Sequence, residues 1–376
     1  MNANHYSLAK ATIQTDKLLT NINILKQQMN PDTAFLAVIK ANAYGHGSVP
    51  LAQVMEESEA VDYFGVAQLQ EALELRSAEI QTPILIFNSV RPEEVDIAIQ
   101  KEITMTVFSK KMAEKISERA KKLKTKALVH LKIDTGMARI GVATFKEAFE
   151  LYKILDNHYV DIEGIYTHFA DANDASPANF THTQFARFQK ILDQFTVYNI
   201  DFGLTHVCNT AATINFPAYH LDMVRVGLGL YGFNPRVDAE TQLDLAPIQQ
   251  LDAQVTHIKD FPTGASVGYS RTYYSKEPMR VATIALGYAD GIPRALSNKG
   301  AFTYNGIELP IIGLICMDQI MLDCSAAPSL AVGQPVNYFG DPSEGYTSII
   351  THAETADSSK YELLCRIGNR VERIYE

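Results

Sequence analysis

A lysine stands directly behind a run of apolar residues near the start of the chain. Residues 35–39 have the length and composition of a fully buried strand, and Lys40 follows where that strand is expected to end. Burial lowers the pKa of an amine, and a neutral amine in an apolar pocket can attack a carbonyl to form a Schiff base. A lysine at a strand end can also extend to water without any chemical role.

Further polar side chains stand at the carboxyl ends of other strand-like runs. They are Lys132 and Asp134 at the fifth run with Arg139 beyond it, His168 at the sixth, Asn209 and Thr210 after the seventh, and Arg225 and Gly227 in the eighth. Each has an ordinary alternative, because His168 also suits a core position and Lys132 beside Asp134 also suits a solvated ion pair. Their joint placement favours one functional cluster.

The glycine-rich stretch GLGLYG, residues 227–232, formally matches a dinucleotide-binding fingerprint. We reject that interpretation because the match lies at the eighth run rather than the first and is followed by Asn234 and Pro235 rather than by a helix. Glycines after the last two strands of a barrel instead suit a phosphate site, which the hydroxyl of Thr210 can join. An aldehyde-capturing lysine and a phosphate cradle together indicate pyridoxal phosphate.

Eight strand-like runs must position these residues. They are residues 35–40, 63–67, 84–89, 103–109, 127–134, 162–169, 203–209 and 223–232. Amphipathic helical patterns separate them, so strand and helix alternate eight times, which predicts an α/β fold with an N-terminal (β/α)8 TIM barrel. A doubly wound open sheet reads similarly over its first half, and the count of eight favours the barrel.

The alternation of strand-like and helical patterns stops at about residue 241. Strand-like runs with Gly, Pro and Asn between them follow, which predicts a mainly β C-terminal domain. We therefore expect a cofactor-binding barrel in residues 1–240, with residues 1–10 as candidates for pairing with the second domain, and a β domain in residues 241–376. The polar segment 234–247 is the expected connection.

Composition limits the class of protein. The 376 residues suggest two domains, and 47% hydrophobic with 20% charged residues is typical of a globular protein. A net charge of −10 argues against nucleic acid as a partner. We see neither a signal peptide nor an apolar run of membrane-spanning length, so we expect a cytoplasmic protein without a membrane partner. Four widely spaced cysteines predict neither disulfides nor a metal site.

Eight motifs stand in order along essentially the whole chain. They are AVIKANAYGHG (37–47), KIDTGMARIG (132–141), YTHFADAN (166–173), HVCNTAA (206–212), MVRVGLGLYG (223–232), VGYSRTY (267–273), LGYADGIPR (286–294) and CMDQIMLD (316–323). Together they resemble the motifs of bacterial alanine racemases, which are pyridoxal-phosphate enzymes of fold-type III. The resemblance implies interconversion of L- and D-alanine, with D-alanine supplied for peptidoglycan.

The resemblance also implies the catalytic roles. Lys40 would hold pyridoxal 5′-phosphate and act as one base, and Tyr269 would be the second base on the opposite face, as inversion at Cα requires. His168 would bridge Tyr269 to Arg225, which donates to the pyridine nitrogen of the cofactor. Since arginine stays protonated, that nitrogen would stay unprotonated, and the weaker electron sink would limit transamination.

The resemblance assigns the remaining site residues as follows. Besides the residues above, the cofactor-binding residues are Tyr44, Asn209, Thr210, Gly227, Leu228 and Asn369. The substrate-binding residues are Arg139, Met317, Asp318 and Tyr288. Lys132 is a candidate N-carboxylysine that orients Arg139. In this family the second domain serves the active site of the partner subunit. We therefore expect a homodimer with shared sites.

Two positions depart from the family pattern. Thr210 replaces a common serine and keeps its hydroxyl. Asn369 stands where a tyrosine often touches the phosphate and narrows the pocket, so the smaller side chain leaves room for an extra hydroxyl. Such a change alters discrimination by about 1–3 kcal/mol, which makes serine a candidate secondary substrate.

Two other functions compete with racemisation. A non-catalytic pyridoxal-phosphate carrier barrel would lack the second domain that brings Tyr269. A pyridoxal-phosphate amino-acid decarboxylase of related fold would carry a CDS-like motif where this chain has CMDQ, residues 316–319.

Overall fold

The computed structural model describes residues 7–174, 176, 179–235 and 242–376. It divides into two compact units, the barrel unit (Leu18–Ala43 and Ser48–Leu245) and the β unit (residues 7–17, Tyr44–Gly47 and Ala246–Glu376). The predicted boundary at residue 240 and the first six residues of the candidate segment 1–10 lie outside the described residues. The first strand, β1 (Ala9–Ile13), belongs to the β unit.

Eight parallel strands form the barrel unit, which confirms the predicted fold. They are β2 (Ala34–Val38), β3 (Tyr63–Val66), β4 (Ile84–Ile86), β5 (Ile103–Val107), β6 (Ala127–Lys132), β7 (Val160–Tyr166), β8 (Leu204–His206) and β9 (Met223–Val226). Their order in the sheet is β8-β7-β6-β5-β4-β3-β2-β9. Most strand residues are buried because helices cover the outer face of such a sheet and side chains fill its interior.

The ends of this sheet approach each other and nearly close the barrel. The backbone N–H of Arg225 on β9 donates to the carbonyl of Cys208, just after β8, at 3.0 Å. A parallel bridge joins Asn209 and Arg225. The carboxyl ends of β8, β9 and β2 are therefore neighbours.

Helices alternate with these strands along the barrel part of the chain. They are α1 (Thr15–Lys26), α2 (Lys40–Tyr44), α3 (Ser48–Glu57), α4 (Leu69–Ser77), α5 (Val95–Gln100), α6 (Lys110–Leu123), α7 (Phe145–Leu155), α8 (Phe180–Val197) and α9 (Thr210–Asn215), with 3-10 turns at Pro92–Glu94, Pro217–Tyr219 and Leu228–Tyr231. In α7, the hydroxyl of Thr144 accepts from the backbone of Glu147, and Glu147 bonds back to the backbone of Thr144. Ala148, Leu151 and Leu155 then form its buried face.

The β unit combines both chain ends with the C-terminal part. Its further strands are β10 (Gln249–Phe261), β11 (Ser266–Val267), β12 (Tyr273–Tyr274), β13 (Met279–Ile284), β14 (Ala301–Tyr304), β15 (Ile307–Pro310), β16 (Ile320–Asp323), β17 (Pro335–Phe339) and β18 (Glu372–Tyr375). Its helices are α10 (Ile349–Thr355) and α11 (Lys360–Arg366), with 3-10 turns at Tyr269–Arg271, Tyr288–Asp290, Arg294–Leu296 and Pro342–Glu344.

The long strand β10 organises this unit. Its first half pairs with β1 and β17, and its second half, from Val255 onward, pairs with β13. The pairing with β13 contains a register shift between Val255 and His257. Strand β1 also pairs in parallel with β18, so it lies between two strands that are distant in sequence. In the described part of the chain, no helix is long and apolar enough to cross a membrane.

Candidate functional site

Five cationic or titratable side chains gather at the carboxyl ends of the barrel strands. The pKa of His168 lies well below its usual value, first because of burial and then because of the charges of Arg225, Lys132, Arg139 and Lys40. Each of these four residues is therefore close enough to act on the same imidazole. The structure thus brings together residues that the sequence placed at the ends of the first, fifth, sixth and eighth strands.

Arg225 is the most constrained of these residues. Its side chain is 3% exposed, and its Nη2 donates to the carbonyls of Thr167 at 2.8 Å and Val207 at 3.0 Å. Nη1 lies 2.8 Å from Nδ1 of His206, and Nη2 lies 3.3 Å from Nδ1 of His168. Burial lowers the pKa of Arg225 to about 10, so the group remains charged at neutral pH. Its Nε–H stays available as a donor toward a ring nitrogen.

The hydrogen bonds of Arg225 also define the state of His168. A guanidinium can only donate, so Nδ1 of His168 accepts and its proton resides on Nε2. The low pKa keeps the ring neutral. His168 is therefore a fixed donor through Nε2 and not the ordinary core histidine considered above.

Sequence reasoning missed His206, although it carries a signal of the same kind as His168. His206 is the last residue of β8, is fully buried, and stacks on Tyr166 with ring centroids 4.6 Å apart. The hydroxyl of Tyr166 lies 2.8 Å from Oγ1 of Thr106. A polar residue at the inner end of a barrel strand predicts a site residue, and that rule applies to His206 as well.

Lys132 is buried rather than solvated. It is 4% exposed, and its Nζ lies 4.4 Å from the ring centroid of Tyr166. Burial lowers its pKa well below the usual value, Arg225 and Arg139 lower it further, and Asp134 opposes them. Asp134 accepts from the backbone N–H groups of Gly136 and Ala138, at 2.9 and 3.1 Å, and so shapes the loop. The surface ion pair is therefore the wrong alternative for Lys132.

The segments that follow β8 and β9 pack closely against each other. Oγ1 of Thr210 accepts from the backbone N–H of Gly227 at 2.9 Å, and a Cβ on Gly229 would lie 2.9 Å from Cγ2 of Thr210. Asn209 uses its side chain to cap α9 through the N–H of Ala212 at 3.0 Å. Backbone and hydroxyl groups thus lie close together at a place where a side chain on Gly229 would not fit, which is the kind of site where a protein holds an anion. These groups, Arg225 and Lys40 together suit pyridoxal phosphate.

The backbone after Lys40 turns left-handed. Ala41, Asn42, Ala43 and Tyr44 have φ between 52° and 54°, and each such residue costs about 1–2 kcal/mol. The first predicted strand therefore ends at Val38 rather than at Lys40.

Polar contacts within the barrel unit hold the start of this turn. Oε1 of Glu71 accepts from the N–H of Ala41 at 2.6 Å, and Oδ1 of Asn42 accepts from the N–H of Ser48 at 2.9 Å. The other oxygen of Glu71 accepts from the N–H groups of Ala67 and Gln68 at the start of α4. One carboxylate thus joins the turn to a helix.

Residues 44–47 belong to the β unit and are held by contacts within it. Nε of Arg373 donates to the carbonyl of Gly45 at 2.7 Å, and Oη of Tyr375 donates to the carbonyl of His46 at 3.0 Å. The ring of Tyr44 lies 6.3 Å from that of Tyr361, and burial raises the pKa of Tyr44. Tyr44 therefore keeps its phenolic proton and can donate a hydrogen bond to an anion.

The remaining predicted residues lie on the surface of the β unit. Tyr269 is 71% exposed, Met317 is 52% exposed, and Tyr288, Asp318 and Asn369 are exposed as well. The N–H of Tyr288 donates to the carbonyl of Cys316, and Arg370 contacts both Asp318 and Asp290. These contacts bring the loops of Tyr288, Met317 and Asn369 together.

Comparisons with known proteins agree along the whole chain. A family model described as alanine racemase, N-terminal domain, matches residues 13–235, and one described as alanine racemase, C-terminal domain, matches residues 248–375. Alanine racemase 2 of Oceanobacillus iheyensis is 39% identical over 363 residues, 96% of this chain and 92% of that protein.

Two solved structures show the same similarity. The alanine racemase of Clostridium difficile 630 has a TM-score of 0.94 and 36% identity, covering 99% of this chain and 96% of the other. The crystal structure of alanine racemase from Bartonella henselae with covalently bound pyridoxal phosphate has a TM-score of 0.85 and 30% identity, covering 98% and 99% of the two chains.

We expect Gly47→Ala to lower the free energy of unfolding. Gly47 has φ of 102°, and a Cβ there would lie 1.8 Å from Oη of Tyr375, whose contact with His46 holds the turn. Gly306→Ala is the matched control, because Gly306 also has a positive φ but nothing within 4 Å of its Cβ position. Urea denaturation should show a loss of about 1–2 kcal/mol for the control and at least about twice that for Gly47→Ala. Equal losses would contradict the role of Tyr375.

Proposed function

The chain belongs to the alanine racemase family, so it is a pyridoxal-phosphate-dependent isomerase that interconverts L-alanine and D-alanine, and we propose that Lys40 and Tyr269 are the bases that exchange the α-proton. The observation that supports this assignment is geometric: Lys40 follows β2, which pairs with β9 and its buried Arg225, and Nη2 of Arg225 lies 3.3 Å from Nδ1 of His168.

The residues of the barrel unit prepare the site for the cofactor. When bound, pyridoxal phosphate supplies an electron sink for the negative charge that develops at Cα. Arg225 would donate to the ring nitrogen, Thr210 and the backbone of Gly227 and Leu228 would hold the phosphate, and Tyr44 would donate to it. Because Arg225 does not give up its proton, the ring nitrogen would stay unprotonated and transamination would be limited.

Inversion requires proton carriers on both faces of the substrate. Lys40 removes or delivers the α-proton on one face, and Tyr269 from a second copy of the chain acts on the other. The neutral His168, held as an Nε2–H donor, orients that tyrosine. The exposure of Tyr269 and Met317 supports this division, because both residues are available to a partner. Arg139, Met317, Asp318 and Tyr288 contact the substrate in this assignment.

Mixed dimers test the two bases and the shared site together. We expect Lys40→Ala and Tyr269→Phe each to lower the racemisation rate of L-alanine by at least about 100-fold. After unfolding and refolding the two variants together, a mixed dimer carries one complete site. Random pairing should restore about a quarter of the wild-type rate.

The controls for this experiment lie in the same region of the chain. Tyr274→Phe, on the neighbouring β12, should keep wild-type activity, since Tyr274 is exposed but has no assigned role. Lys40→Ala refolded with the double variant Lys40→Ala, Tyr269→Phe should restore nothing. A fully active monomer in sedimentation, or mixed dimers that recover no racemase activity, would contradict the proposal that two chains share each active site.

We further propose that Lys132 is N-carboxylated. Its lowered pKa leaves more of the amine neutral, and the neutral amine can attack carbon dioxide, forming an N–C bond and releasing a proton. The new carboxylate would neutralise the surrounding charges and accept from Arg139. Protein prepared in ¹³C-bicarbonate should show a carbamate signal by ¹³C NMR that Lys132→Ala removes and that replacement of the exposed Lys126 leaves in place. A spectrum without that signal would count against the modification.

Serine is the proposed secondary substrate. The exposed Asn369 is smaller than the tyrosine common in the family and leaves room for a hydroxymethyl group. We expect Asn369→Tyr to lower kcat/KM for L-serine relative to L-alanine by about 10-fold. Alanine serves as the internal control, and an unchanged ratio of the two kcat/KM values would show that Asn369 does not set selectivity.

The cellular role follows from the reaction. We propose that residues 1–240 hold the cofactor, that residues 241–376 complete the site of the partner, and that the D-alanine produced in the cytoplasm is used for peptidoglycan. The free state of Cys208, Cys316, Cys324 and Cys365 supports a reducing compartment.

A further inference from the structure

A line of buried polar side chains continues from Arg225 into the barrel, away from the residues assigned to catalysis. Nη1 of Arg225 lies 2.8 Å from Nδ1 of His206, and Nε2 of His206 lies 2.9 Å from Nδ1 of His130 on β6. Both histidines are fully buried. Nε2 of His130 then lies 3.9 Å from Oε2 of Glu163 on β7.

The order of donors and acceptors along this line is determined by Arg225. Its guanidinium only donates, so Nδ1 of His206 accepts and the proton of that ring is on Nε2. That N–H donates to Nδ1 of His130, which places the proton of His130 on Nε2 as well. Burial and the charge of Arg225 lower the pKa of both histidines, that of His130 to about 3, so neither ring takes a second proton.

Glu163 lies at the end of this line, where its carboxylate, an acceptor, faces the N–H of His130. Nε2 of His130 is a buried atom without a hydrogen-bond partner among the described residues, and the carboxylate of Glu163 is the anion that faces it. Oε2 of Glu163 also accepts from Oγ1 of Thr104 at 2.9 Å, which fixes its position. A negative charge at this end favours the tautomer of His130 whose N–H points toward it.

The backbone is shaped to admit this arrangement. Val129 pairs with Ile162 and His130 pairs with Gly164, so Glu163 is an extra residue in β7 and forms a bulge that redirects its side chain. A Cβ on Gly164 would lie 2.9 Å from Cε1 and 3.0 Å from Nδ1 of His130. The ring of His130 therefore occupies space that only a glycine leaves open.

We propose that Glu163, His130 and His206 form a buried relay of fixed polarity that positions Arg225. Glu163 selects the tautomer of His130, His130 selects that of His206, and His206 thereby always presents an acceptor to the guanidinium. If His206 took the other tautomer, its Nδ1–H would face the N–H of Arg225, and two donors would oppose each other in a dry site. No proton moves along the relay during turnover.

The consequence for the site rests on the proposed function, in which Arg225 donates to the ring nitrogen of pyridoxal phosphate. A guanidinium that loses its anchor at Nη1 no longer holds Nε in one direction. The three relay residues are therefore positioning residues, and their loss should weaken cofactor binding and increase transamination relative to racemisation.

The first test reads the tautomers directly. The ¹⁵N NMR spectrum of histidine-labelled holoenzyme, assigned with single histidine variants, should show neutral rings protonated on Nε2 for both His130 and His206. A proton on Nδ1 of His206, or a doubly protonated ring at either position, would overturn the proposal. Because this measurement uses the wild-type protein, it does not depend on the folding of a variant.

The second test measures the Kd of pyridoxal phosphate by titration of the apoenzyme. His130→Leu removes the acceptor for His206 and should raise Kd by about 10-fold, whereas His130→Gln, whose Oε1 can accept from Nε2 of His206, should stay within about 3-fold of wild type. His352→Leu is the matched control, since His352 is equally buried but bonds to the carbonyl of Tyr338 in the β unit.

The outcomes separate the relay from the proposed function. An unchanged Kd in His130→Leu, or an equal rise in His352→Leu, would overturn the relay. Neither the tautomers nor the Kd depend on turnover. If both agree with the relay but mixed dimers recover no racemase activity, the assignment of the two bases is wrong and the relay is not contradicted.

Discussion

The buried charge of Arg225 is the constraint on which the site depends. An unpaired guanidinium inside a barrel would cost several kcal/mol, and Arg225 avoids this cost through acceptors at the ends of two other strands. The carbonyls of Thr167 and Val207 and the imidazoles of His168 and His206 come from the ends of β7 and β8. The hydrogen bonds of this one cation therefore hold together the ends of β7, β8 and β9. Strand β9 also pairs with β2, the strand that leads to Lys40.

Much of this arrangement could be predicted because it follows from local patterns. Apolar runs separated by amphipathic segments give the number of strands, and the carboxyl ends of parallel strands necessarily meet. Lys40, His168 and Arg225 could be grouped on that basis alone. Tyr269 and Asn369 could not, because an exposed side chain in a β domain has no local signature. Only the resemblance to a family gave them roles.

Other features escaped prediction because distant parts of the chain decide them. Residues 41–44 contain no glycine, and their own preferences favour a right-handed turn. Glu71 is 30 residues away from its partner in that turn, and Arg373 is 328 residues away from Gly45. The tautomers of His130 and His206 likewise depend on a contact between strands 76 residues apart. Such tertiary contacts override propensity, and a linear pattern does not contain them.

The pairing of β1 with both β10 and β18 has a consequence for biosynthesis. At about 5–20 residues per second, a ribosome needs tens of seconds to proceed from β1 to β10, and it reaches β18 (Glu372–Tyr375) later still. During that interval the barrel is synthesised, while both edges of β1 remain without their partner strands. An unpaired strand edge is a template for pairing with another chain, so β1 is open to such pairing until the β unit is complete.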